Sequence, residues 1–212
     1  MFAQLVDGIF WDIALWVFAI GVVWNILSIF RVGNKPDYSE PRGSAAAGAV
    51  ATNLRRFMPR CEMVSRTRLQ VIAGYLFHLG LFALLFFAAP HVLFIEEQTG
   101  LGWTSMPYWA FIIAAQLSFT GLLLLWVHRV MHPVTRLLSD MDDHMASILT
   151  FIVMLTGCMA LVEEFEGLRV LHRFTVEILM VYFPFSRLMH AFMFIPSRAF
   201  TGAWFGRRGV KA

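Results

Sequence analysis

"IFWDIALWVFAIGVVWNILSIF", residues 9–30, decides the class of the fold. Asp12 is its one charged residue, and the rest is overwhelmingly aliphatic or aromatic. About 20 such residues, at about 1.5 Å rise each, form a helix long enough for a hydrocarbon core of roughly 30 Å. The segment lacks a basic leader and a small-residue cleavage motif, so it is expected to persist as a helix and not to act as a signal peptide.

The same reading extends along the chain. Four further spans are expected near Leu69–Phe94, Pro107–Val127, Met145–Val162 and Val170–Phe194. Pro107 suits a first helical turn, where its missing N–H costs nothing. Of the 212 residues, 58% are hydrophobic and only 15% charged, well below the quarter or so charged in soluble domains. In lipid every backbone polar group must be paired within its own segment. The expectation is an all-α bundle of five transmembrane helices in a single membrane domain, residues 1–212.

Charge orients it. The segment 31–68 carries eight of the 17 Lys and Arg: Arg31, Lys35, Arg42, Arg55, Arg56, Arg60, Arg66 and Arg68. Arg129 and Arg136 follow the third span, and Arg198, Arg207, Arg208 and Lys211 lie in the tail. The alternate loops hold Glu96 and Glu97, then Glu163, Glu164 and Glu166. The positive-inside rule places the basic loops in the cytoplasm, the N-terminus outside and the C-terminus inside. The net charge of +3 is thus a topology signal of a multi-pass protein of the inner (cytoplasmic) membrane, not of a nucleic-acid binder. Within 31–68, a short surface helix near Ala51–Met58 and a plain linker are equally compatible with the residues.

Several chemistries are absent. Cys61 and Cys158 form no CxxCH or iron–sulfur motif, and there is no Gly-rich phosphate loop. Chemistry rests on the histidines: His78, His91, His128, His132, His144, His172 and His190. On one continuous helix, the eighteen residues from His172 to His190 make about five turns, so both would share a face about 27 Å apart. Antiparallel packing of spans two and five would set His78 level with His190 on the inside, and His91 level with His172 on the outside. Two neutral imidazoles on either side of a macrocycle make a bis-histidine haem site. Gly74, one turn before His78, would let the macrocycle approach. Arg187 would either pair with a propionate or snorkel to lipid phosphate. His91 follows Pro90, which ends or kinks a helix. Without a kink, His78 and His91 are about 220° apart around the helix. His128 and His132 are spaced i, i+4 without a further ligand set. Asp140, Asp142 and Asp143 read as a solvated acidic cluster, and Glu177 as either a proton relay or a helix–helix hydrogen bond.

The stretches "LFHLGLFALLFF" and "FPFSRLMH", with H-x17-H in the fifth span, resemble the gamma subunit of respiratory nitrate reductase. They are also similar to the membrane cytochrome of the dissimilatory sulfite reductase-linked complex. The resemblance covers about residues 66–196. It implies a five-helix cytochrome b with one or two haem b groups, exchanging electrons between quinone and a cytoplasmic iron–sulfur subunit. The family's inner ligands map to His78 and His190, and one outer ligand to His172. The other outer position is Ala88 in this chain, so either His91 replaces that ligand or the outer haem is missing. The departure points to a relative that serves another redox partner, such as a heterodisulfide-reductase-like iron–sulfur subunit. The rival expectations are a haem-free membrane anchor or assembly subunit and a small proton-coupled transporter.

Overall fold

The computed structural model describes residues 1–31, 38–58, 61–161 and 165–210. Lys35, Arg60, Val162, Glu163, Glu164 and Lys211, used above for charge or span limits, lie outside them. The described residues contain helices and turns and no strand. Helix α1 runs Phe2–Arg31 with a π-helical turn at Val6–Phe10. It is followed by α2 (Ala45–Arg55), α3 (Cys61–Phe87), α4 (Ala89–Thr99), α5 (Tyr108–Met131) and α6 (Pro133–Leu138). Then come α7 (Met141–Ala160), α8 (Glu166–Tyr182) and α9 (His190–Arg207). Four stretches, Phe2–Arg31, Arg66–Phe87, Tyr108–Met131 and Met141–Ala160, are long and apolar enough to cross a membrane. A bent pair, Glu166–Phe185 with Arg187–Arg207, makes a fifth if counted as one span. This is the helix content of a multi-pass membrane protein.

The chain divides into two compact units, Met1–Cys61 with Val176–Ala212, and Glu62–Thr175. In the second, α3 and α5 cross where their side chains are smallest. A Cβ on Gly80 would sit 2.6 Å from Ala114 O, and one on Gly121 would sit 2.7 Å from Ala73 O and strike Phe77 N. Without those Cβ atoms the two backbones touch, which is how helices associate where lipid supplies no hydrophobic drive. Ser118 is fully buried at the crossing, and its hydroxyl lies 3.3 Å from both Phe77 O and Met154 Sδ of α7. Asp140 and Asp143 form a reciprocal capping box at the start of α7. Asp143 also pairs with Arg129 of α5 at 2.9 Å. Two members of the acidic cluster are therefore a helix start, while Asp142 lies within its first turn.

In the first unit, α2 lies against α9 through small residues. Gly48 faces Gly202 and Gly206, and Thr52 is buried beside Gly202. The surface segment of the basic loop is thus a helix, Ala45–Arg55, whose small-residue face is covered by α9.

The expected fifth span, Val170–Phe194, is not one straight helix. Two 3-10 turns, Phe183–Phe185 and Arg187–Met189, separate α8 from α9, and the axis turns by 79°. Pro184 removes an amide from the ladder. Ser186 Oγ accepts from Leu188 N at 3.2 Å, starting the next turn. Asn25 of α1 donates to the Pro184 carbonyl at 3.0 Å, and Gly21 makes room for the proline ring. Phe18, Phe183 and Phe192 pack edge to face around the corner. The five-turn arithmetic for His172 and His190 assumed an unbroken helix, so their shared face is corrected by this break.

Candidate functional site

Span two is also interrupted, and the interruption builds a site. α3 stops at Phe87, Ala88 is extended (φ −66°, ψ 135°), and Pro90 opens α4. Pro90 has no N–H to give Phe86 O, and the amide of His91 turns to Ala88 O instead of Phe87 O. Both stranded carbonyls find donors in the segment before α5. Trp103 Nε1 donates to Phe86 O at 2.7 Å, and the Met106 amide donates to Phe87 O at 2.8 Å. A Trp103→Phe change keeps the ring and removes the donor. Leaving a carbonyl unpaired costs about 1–3 kcal/mol. The variant is expected to lower the thermal midpoint of the detergent-solubilised protein, and an unchanged midpoint would show that water replaces the indole.

The break re-aims His91. Its Nδ1 donates to Leu84 O at 2.9 Å, a bond that folds the ring back along α3. A carbonyl can only accept, so Nδ1 carries the proton and the lone pair of the neutral ring is on Nε2. His91 lies beside His172 of α8, with ring centroids 6.2 Å apart and planes 29° from parallel. Two imidazoles joined through one metal, at about 2 Å from each nitrogen, have centroids roughly 6 Å apart.

His172 is seated by α7. A Cβ on Gly157 would be 2.9 Å from His172 Cε1, so only glycine admits the ring there. Thr156 Oγ1 lies 3.2 Å from His172 Nδ1. Both histidines thus engage Nδ1 with the protein, the usual arrangement of a metal-binding imidazole. The donor set and the ring spacing are compatible with two imidazole ligands to one metal ion, and Gly157 leaves room for the His172 ring.

The other expected ligands lie in different units, His78 in Glu62–Thr175 and His190 in the unit that begins again at Val176. Each shows the same local habit. His78 Nδ1 lies 2.7 Å from Gly74 O, and His190 Nδ1 lies 2.7 Å from Arg187 O. Gly74 faces open space, with nothing within 4 Å of a Cβ built on it. Arg187 is exposed in the second 3-10 turn. His128 and His132 stack at 4.9 Å, with Gln70 Nε2 3.5 Å from His128 Nδ1. Among the described residues no group of three or more His, Cys, Asp or Glu is placed to hold a metal ion. The His91–His172 pair is smaller than such a group.

Sequence reasoning did not find Thr156, Gly157, Thr175, Trp103 or Met106. The traceable signal was Pro90, which strands Phe86 O and calls for a donor from elsewhere. No family model and no solved structure matches the chain. A protein of Nitratidesulfovibrio vulgaris strain Hildenborough, recorded simply as "Protein", is 25% identical over 209 residues, or 95% of this chain and 92% of its own length. That likeness runs nearly end to end in both chains and names no activity.

Proposed function

We propose that this chain is the membrane cytochrome b subunit of an oxidoreductase complex. In this reading it passes electrons between the quinone pool and a cytoplasmic iron–sulfur partner, such as a heterodisulfide-reductase-like subunit. The observation that carries the reading is the His91–His172 pair, 6.2 Å apart, each ring with its Nδ1 engaged. His91 and His172 would hold one haem b, and the sequence resemblance would assign His78 and His190 to a second. A bound haem supplies one-electron redox chemistry at an iron whose potential its axial ligands set.

The chain's own residues bind and orient. Leu84 O and Thr156 fix the two outer rings, and Gly157 leaves space for one of them. Gly74 leaves open the space beside His78 that a flat macrocycle needs. The fork of Arg187 suits a propionate carboxylate. By the positive-inside rule the basic segments support an N-terminus outside and a C-terminus in the cytoplasm of the inner membrane, where the partner would dock.

A reduced-minus-oxidised visible spectrum of the purified protein tests the proposal. The expected result is b-type bands with about two haems per chain. His190→Ala is expected to remove the inner haem alone. A spectrum without b-type bands would refute the reading in favour of a haem-free anchor.

A further inference from the structure

We infer that Thr156 and Thr175 are positioning residues for His172, closing a hydroxyl cycle that holds its proton on Nδ1 and presents Nε2 as the ligand. The inference rests on the reading of His91 and His172 as haem ligands, and it assigns a role to two residues which that reading leaves unexplained. Both threonines are buried, 6% and 7% exposed. Buried hydroxyls in an apolar bundle are costly unless paired, and these pair with one another and with one histidine.

Counting protons limits the arrangements. Each hydroxyl has one proton and two lone pairs. Thr175 Oγ1 donates to the carbonyl of His172 at 2.8 Å, one turn back on its own helix. Its proton is therefore spent, and at the 2.9 Å contact with Thr156 Oγ1 it accepts. If Thr156 gives its proton to Thr175, it has none for the imidazole. Its hydroxyl can turn instead to Val153 O at 3.0 Å, but that is also an acceptor. On both of these branches the Thr156 oxygen accepts from His172 Nδ1–H at 3.2 Å; the third, Thr156 donating to Nδ1, would leave Nε2 protonated and without a lone pair for a metal. The cycle runs from His172 Nδ1–H to Thr156, to Thr175, and back to the main chain of His172.

The two ligands are thus locked in the same tautomer by different means. His91 uses a backbone carbonyl, Leu84 O, which no substitution removes. His172 uses side chains, so its lock can be taken away without moving the backbone. An acceptor on the distal nitrogen raises the basicity of a ligating imidazole, which favours the oxidised iron. The hydroxyl cycle should therefore hold the outer potential down as well as hold the ring in place.

Thr156→Val keeps the shape and deletes the acceptor, and Thr156→Ser restores it. The measurements are the midpoint potential, the low-spin EPR signal and the haem affinity of the full chain in detergent. In Thr156→Val the outer potential is expected to rise, its EPR signal to shift, and haem affinity to fall about tenfold, with Thr156→Ser near wild type. Thr175→Val, which leaves Thr156 able to donate to Val153 O, should fall between them and serves if Thr156→Val does not fold. If His172→Ala removes a haem but Thr156→Val and Thr175→Val both keep the wild-type potential and affinity, the positioning role is overturned and the ligand reading stands. If His172→Ala removes no haem, the ligand reading itself fails, and the inference with it.

Discussion

His172→Ala is expected to lower bound haem from about two to about one per chain, while the bands of the inner site persist. The effect should be close to all-or-none, because a haem that would be held by one imidazole instead of two would bind far more weakly and be lost on purification. His91→Ala should do the same, since the two rings face each other at 6.2 Å. Gly157→Val is the geometric control. It changes no ligand, but the new Cβ would lie 2.9 Å from His172 Cε1 and must displace the ring. Loss of the same haem in all three variants would tie the site to α4, α7 and α8 together. Equal haem content in wild type and His172→Ala would remove the outer site.

Gly121→Leu should give the largest loss of stability. At Gly121 the atoms in the way are backbone, Ala73 O at 2.7 Å and Phe77 Cα at 2.8 Å from the added Cβ. No rotamer relieves a clash at Cβ, so α3 and α5 must separate. That strips the small-residue contact that joins helices in lipid, and overpacking of this kind costs about 3 kcal/mol. Thermal unfolding in detergent should show a large fall in midpoint and lower purified yield. Gly74→Leu offers the contrast, because its Cβ would meet nothing within 4 Å, and fold stability should change little. If both variants unfold alike, the α3–α5 crossing is not the contact that matters.

The class of the fold was legible in the sequence because membrane spans are a matter of length and polarity. Residues 9–30 and the apolar runs near 69–94, 107–127, 145–162 and 170–194 announce themselves one segment at a time. The histidines were legible as candidates for the same reason: ring nitrogens stand out where neighbours are apolar. The Pro90 interruption was also visible, since a proline has no amide to donate.

What the break does was not legible. Whether the chain kinks, and where His91 then points, depends on donors from Trp103 and Met106, which are remote in sequence from Phe86 and Phe87. The turn at Ser186 was missed because Pro184 alone does not set an angle. The 79° bend is fixed by Asn25, Gly21 and Phe18 of another helix. The sequence by itself therefore determined an all-helical membrane protein with histidines at both ends of its spans. Only the tertiary structure decided which of them meet, because helical breaks redirect side chains by angles that local propensity does not contain. It likewise decided that Thr156, Gly157 and Thr175 belong to His172, because two hydroxyls and a missing Cβ acquire a role only when α7 and α8 lie side by side.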